Sequence, residues 1–216
     1  MEKQAVVVSL AVVSMILTLL AFAPLLAADC GEPVLTPKFQ VGEKWTWRDE
    51  KGAEWSNEVI QVEAELTQVR GKDGDLVFFD KELIIRKVVQ PTGEVVTRQG
   101  PGRYILVGQK TLDFPLQVGK QWEFTFLGQP RGGGALQTYY SRSKIMVCEE
   151  VSTPAGKFSA FMVEVRQGLL GSPNSGIFIF WYAPQVKNTV RRLYVPSQWW
   201  SGGRFLDNEL IKFEVK

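Results

Sequence analysis

Val151-Ser152-Thr153-Pro154-Ala155-Gly156-Lys157-Phe158-Ser159-Ala160-Phe161-Met162-Val163-Glu164-Val165-Arg166, followed after a short loop by Ile177-Phe178-Ile179-Phe180-Trp181-Tyr182-Ala183-Pro184, is the stretch that decides the fold class. Thr153 to Phe158 reads as a tight turn between two strands: Pro154 presets φ for the first central position, and Gly156 can take the positive φ that such turns need. Beyond it, Phe161, Val163 and Val165 alternate with Met162, Glu164 and Arg166, the period of a half-buried strand. Ile177 to Tyr182 is apolar throughout, the composition of a strand covered on both faces or placed at the centre of a sheet. It stops at Ala183-Pro184, where proline brings no N–H to a ladder.

Working outward, Tyr139–Val151 and Lys157–Gln167 form a hairpin about that turn, and Thr189–Val195 and Leu210–Val215 read as the last two strands. Upstream, Phe39-Gln40-Val41-Gly42-Glu43-Lys44-Trp45-Thr46-Trp47 returns as Leu116-Gln117-Val118-Gly119-Lys120-Gln121-Trp122-Glu123-Phe124. Gln-Val-Gly is identical in both copies and the aromatics keep their spacing. Each glycine supplies a turn, after which two aromatics at alternate positions point to one face of a strand. Large core residues beginning equivalent strands in two related halves account for Trp45, Trp47, Trp122 and Phe124 better than an aromatic ligand platform does. Between the copies, Ile60, Val62, Ala64 and Leu66 share one strand face within Glu58–Val69. Further strands are expected at Leu76–Phe79, Leu83–Val89, Val95–Thr97 and Tyr104–Val107. Short strands separated by Gly, Pro and Asp turns predict an all-β fold, a single antiparallel, strongly curved sheet or open barrel. The loop Gly128–Gly134 lacks the Gly-Lys-Ser/Thr ending and the following helix of a phosphate cradle, and reads as a hairpin tip.

The first 28 residues have the layout of a secretory signal. A long apolar run from Ala5 to Phe22 is followed by Pro24 and by small residues ending at Ala28. An uncleaved membrane anchor over residues 5–22 is the alternative. Both readings place the remainder, an extended lead-in over 29–38 and one β domain over 39–216, outside the cytoplasm, periplasmic or extracellular. Cys30 and Cys148 are the two cysteines of the chain. In an oxidising compartment they are candidates for a disulfide; a lipidated Cys30 and a buried free thiol at Cys148 are the other readings.

Val118-Gly119-Lys120-Gln121-Trp122, Thr153 to Phe158 (TPAGxF) and Trp181 to Val186 (WYAPxV) followed by Arg191 and Arg192 together resemble the bacterial TapB-like exported proteins and related families of unknown function, from about Phe114 to the C-terminus. The resemblance implies an antiparallel, strongly curved sheet in the manner of periplasmic lipoprotein carriers. It implies no established activity and brings no catalytic residues. Where the family shows a turn of the form Ala-Pro-Gly-Val-Gly, this chain has Gln185 and Lys187, so the turn after Pro184 is expected to differ.

The chain contains no histidine, and 25 Lys and Arg stand against 23 Asp and Glu. Lack of histidine removes Ser-His-Asp and Cys-His catalysis and the common zinc sites. Glu149 and Glu150, neighbours on a strand, point to opposite faces, and Asp73-Gly74-Asp75 lacks the downstream Glu of a calcium loop. The balanced charge offers no basic face for nucleic acid. The sequence therefore reads as a non-enzyme with no metal and no cofactor: an exported β-sheet protein of the cell envelope that binds an apolar ligand, a lipid or lipid-modified chain. Trp122 and Trp181 are the candidate contacts within the sheet. The alternative is a structural or assembly protein that meets another envelope protein or a glycan through Trp199 and Trp200. An enzyme using a pair of carboxylates is the remaining reading. Arg191 and Arg192 point to opposite faces, so at most one of them belongs to any given site.

Overall fold

The protein is described from a computed structural model covering residues 30–72, 74–93, 95–96, 110–128, 137–173, 175–195 and 208–216. The N-terminal apolar run, the strand expected at Tyr104–Val107, the Gly132–Gly134 tip and the pair Trp199-Trp200 lie outside these residues. Among the described residues, no helix is long and apolar enough to cross a membrane.

Among the described residues, twelve strands form one antiparallel sheet: β1 (Lys44–Asp49), β2 (Glu54–Val62), β3 (Leu66–Arg70), β4 (Leu76–Asp80), β5 (Ile85–Val89), β6 (Val95–Val96), β7 (Gln121–Gly128), β8 (Gln137–Thr153), β9 (Gly156–Leu169), β10 (Ser175–Ala183), β11 (Asn188–Val195) and β12 (Asn208–Glu214). Their order is β6-β5-β4-β3-β2-β1-β12-β11-β10-β9-β8-β7. Each half of the chain is thus a meander of sequential neighbours, and the halves join where β1 pairs with β12. The all-β, single-sheet expectation holds. The sheet is open among the described residues, with β6 and β7 outermost.

The deciding stretch builds the longest ladder. β8 and β9 pair from Tyr139↔Leu169 to Thr153↔Gly156, and Gly156 has φ +135° at the end of the turn. Side-chain alternation along β9 sorts Phe158 and Ala160 into one buried cluster and Phe161, Val163 and Val165 into another. On β10 the first cluster takes Trp181 and Ala183, the second Phe180 and Tyr182. β10 therefore carries core on both faces, as its unbroken apolar run indicated. Each such large apolar side chain stabilises the fold by about 1.5–3 kcal/mol when fully buried.

The two Gln-Val-Gly copies make the same structure. Gly42 and Gly119 both have φ +88°, a left-handed backbone that favours glycine. Glu43 N–H donates to the Gln40 carbonyl and Lys120 N–H to the Gln117 carbonyl, closing each turn. The Gly42 amide then donates to Val59 O and the Gly119 amide to Ile145 O, both at 2.8 Å, which docks the first turn on β2 and the second on β8. Trp45 and Trp122 fall at equivalent places and are buried.

In two places the boundaries differ from the sequence reading. Ile60, Val62, Ala64 and Leu66 do not share a face, because the chain reverses between β2 and β3: Glu63 N–H donates to Leu66 O at 2.8 Å. A register shift between Val59 and Gln61 then makes Val59 the fully buried residue and leaves Val62 exposed. Leu83 is not in a strand. It has φ +59° in the β4–β5 turn, where Asp80 Oδ1 accepts from the amides of Glu82 and Ile84, both at 2.9 Å. After Pro184, Lys187 takes φ 56° and ψ 21°, so a lysine occupies the left-handed position that glycine would favour.

Candidate functional site

A cavity of about 610 Å³ lies against residues from both meanders. Trp47 (β1), Trp55 (β2) and Phe79 (β4) come from the first half; Phe124 (β7), Phe178 and Phe180 (β10) come from the second. The strand period explains the placement: on β10 the alternate residues Phe178 and Phe180 line the space, while Ile179 and Trp181 pack in the cluster on the other face. Trp47 stacks on Trp55 with ring centroids 6.4 Å apart, and its Nε1 donates to Thr189 O at 3.0 Å, which fixes the ring at the wall. Pockets for small molecules have this volume and this largely apolar lining with a few polar groups.

The polar groups sit mainly on the second meander. Ser141 and Ser143 (β8) and Gln167 (β9) line the cavity; the serine hydroxyls and Gln167 Nε2 are buried and have no hydrogen-bond partner among the described residues. Arg192 (β11) lines it too, its guanidinium 5.3 Å from the centre of the Phe178 ring. The Arg192 side chain is exposed in surface area and yet desolvated, which lowers its pKa. The guanidinium stands at the cavity wall and stays charged. Lys110 lines the cavity as well but is held by Asp113 at 2.5 Å and Glu82 at 3.4 Å. The hydrogen bond it donates to Asp113 raises its pKa, with the two carboxylate charges adding to it against desolvation.

The residues named from sequence separate. Trp122 is buried in the second cluster and Trp181 in the first, where its Nε1 donates to Glu149 at 2.6 Å. Neither is among the residues lining the cavity. Trp45 is a core residue donating to Val186 O, whereas Trp47 and Phe124 reach the cavity wall. Cys30 and Cys148 are joined by a disulfide, Cα atoms 6.0 Å apart, which pins the lead-in to β8. The lead-in also pairs Val34 with Leu116 through both amides. Among the described residues no group of three His, Cys, Asp or Glu side chains could hold a metal ion. Arg191 and Arg192 do face opposite ways: Arg191 donates to Ser152 O at 2.8 Å, away from the cavity. Trp55, Phe79, Ser141, Ser143 and Gln167 were not singled out from sequence; the signal for the serines was their alternation with Arg142 and Lys144 on β8.

No protein-family model matches the chain, and no curated protein matches it. Among solved structures it is similar to the hypothetical lipoprotein YmcC from Escherichia coli, at 11% identity over 84% of this chain and 92% of that one, with a TM-score of 0.49. It is also similar to a protein with a YmcC-like fold from Bacteroides fragilis, at 16% identity over 85% of this chain and 100% of that one, with a TM-score of 0.38.

Proposed function

We propose that this protein is an exported, non-catalytic binding protein of the cell envelope that holds an apolar ligand, a lipid or a lipid-modified chain, in the cavity between its two meanders. The observation that carries this reading is the lining: aromatic side chains from strands far apart in the sheet order meet around one space of about 610 Å³. A sheet curved about that space accounts for the meeting. Export is supported by the signal-like first 28 residues and by the Cys30–Cys148 disulfide, a bond that persists in oxidising compartments. Binding without chemistry is supported by a chain with no histidine and by a cavity whose described lining includes no Asp or Glu.

The test is native mass spectrometry of the protein purified from its own envelope, followed by lipid titration of the stripped protein. A co-purifying mass of lipid size, lost on organic extraction, is the expected result, with Trp47 and Trp55 fluorescence responding on re-addition. A clean apo mass and no response to any lipid would overturn the reading.

A further inference from the structure

A cavity for a purely neutral ligand has no need of an unpaired cation. The other cation in the described lining, Lys110, has two carboxylates, and Arg191, the neighbour of Arg192, lies 3.8 Å from Glu209. Arg192 has none among the described residues. Its guanidinium lies over the face of Phe178, 5.3 Å from the ring centre. A ligand that fills the cavity takes this guanidinium out of water, which is costly without a counter-charge, and an anionic group on the ligand offsets that cost.

The surroundings suit an anion. Arg192 stands opposite Phe180 on β10 and Asn208 on β12, and its guanidinium leans over Phe178. Phe178 is opposite Val165, and Val165 is opposite Ser143; one step along, Gly176 is opposite Gln167, and Gln167 is opposite Ser141. The buried donors Ser143, Ser141 and Gln167 therefore follow one another along the same wall as the guanidinium. At Gly176 the Tyr194 phenol covers the strand, because a Cβ there would lie 3.0 Å from its hydroxyl. The described lining holds no carboxylate to repel an anion. The first meander brings Trp47, Trp55 and Phe79 to the lining, with Asn57 among them.

We propose that the cavity takes an amphiphile with an anionic headgroup, the headgroup paired to Arg192 and hydrogen-bonded along the Ser141–Ser143–Gln167 wall, the hydrocarbon lying against Trp47, Trp55 and Phe79. This rests on the apolar-ligand reading and adds the headgroup to it. A carboxylate and a phosphate share the chemistry, since both accept two N–H bonds from one guanidinium.

The experiment titrates the stripped full-length protein with dodecanoate, dodecyl phosphate and dodecanol, which share a chain and differ in headgroup, and repeats the series on Arg192→Gln, Arg192→Lys and Arg191→Gln. The two anions are expected to bind about tenfold to a hundredfold more tightly than dodecanol, and the tighter of them names the headgroup source. Arg192→Gln is expected to abolish that preference, bringing the two anions to the affinity of dodecanol measured on the same variant; Arg192→Lys and Arg191→Gln are expected to keep it. Equal binding of all three by the parent protein would overturn the headgroup assignment and leave the apolar cavity standing. Failure of all three to bind would overturn the cavity reading as well. The parent comparison holds even if Arg192→Gln does not fold.

Discussion

Lys187 Nζ donates to Glu43 Oε1 at 2.5 Å, joining residues 144 apart in the chain around a carboxyl group with no exposed surface. The same ammonium donates to Lys38 O at 2.8 Å and to Lys216 O at 3.0 Å, and Glu43 Oε1 also accepts from the Lys216 amide at 3.2 Å. One ion pair thus fastens the lead-in, the start of β1, the turn after β10 and the C-terminus at a single point. It also gives the lysine in left-handed backbone a partner: from that position its ammonium reaches the buried Glu43.

Removal of one partner leaves the other charge stranded. Lys187→Ala is expected to destabilise the protein by about 3 kcal/mol, and the double change Glu43→Leu with Lys187→Met to recover a large part of that loss. Urea unfolding of the parent and the two variants checks this. A single variant with unchanged midpoint would show that the pair contributes nothing.

The disulfide closes a loop with a sequence separation of 118. Removing such a cross-link frees the unfolded chain, and Cys148→Ser is expected to cost about 2–5 kcal/mol. Intact mass is expected to rise by two hydrogens on reduction, with both sulfurs blocked to alkylation beforehand. Alkylation of either cysteine without reductant would count against the bond, and a mass increment on Cys30 would point to lipid.

Much of this architecture was readable in the chain, and the unread parts share a cause. β8, β9 and β10 were legible because a Pro-Ala-Gly turn punctuates them and Phe161, Val163 and Val165 keep strict period. The β2–β3 boundary was not, because the reversal is made by Glu63-Ala64-Glu65, which carry no glycine, proline or asparagine. Leu83 hid the β4–β5 turn in the same way, a leucine standing where the matching β1–β2 turn has Gly52 at φ +84°. The opposition of Arg191 and Arg192 follows from alternation alone. Which of the two faces the cavity does not, since Trp55 and Phe79 arrive from the other meander through pairings distant in sequence. Trp122 and Trp181 looked like contacts because tryptophan suits both ligand and core, and period-2 spacing cannot tell which face is filled.

Asp113 joins Lys110 at 2.5 Å and Lys120 at 2.8 Å; Asp80 pairs with Arg86. Desolvation pushes both carboxyl groups up, but hydrogen bonds and the neighbouring cations outweigh it, and each pKa lies below its ordinary 3.8. A carboxyl depressed by folding contributes stability that is complete above its unfolded pKa and lost as pH falls through the folded one. Stability is therefore expected to be level above about pH 5 and to decline from about pH 4 downward. Lys110, raised above 10.5, adds the opposite limb, with stability lost as pH climbs past its folded pKa. Asp113→Asn is expected to flatten part of both limbs. Urea midpoints from pH 2 to 11 that ran parallel for parent and variant would contradict the assignment.

Gly176 and Tyr194 are coupled by space. A Cβ at position 176 would meet the Tyr194 hydroxyl at 3.0 Å and the ring at 3.1 Å, so the phenol of β11 lies over the backbone of β10 where no side chain intervenes. Gly176 sits in strand backbone without positive φ, and alanine there has no conformational strain to confuse the result. Gly176→Ala is expected to cost about 1–3 kcal/mol through overpacking. Tyr194→Leu in the same chain removes the obstructing ring and is expected to return about 0.5–3 kcal/mol of that as coupling in a double-mutant cycle. An additive cycle would mean that the ring moves aside freely and that the cavity wall at β10 and β11 is less firmly built than these contacts indicate.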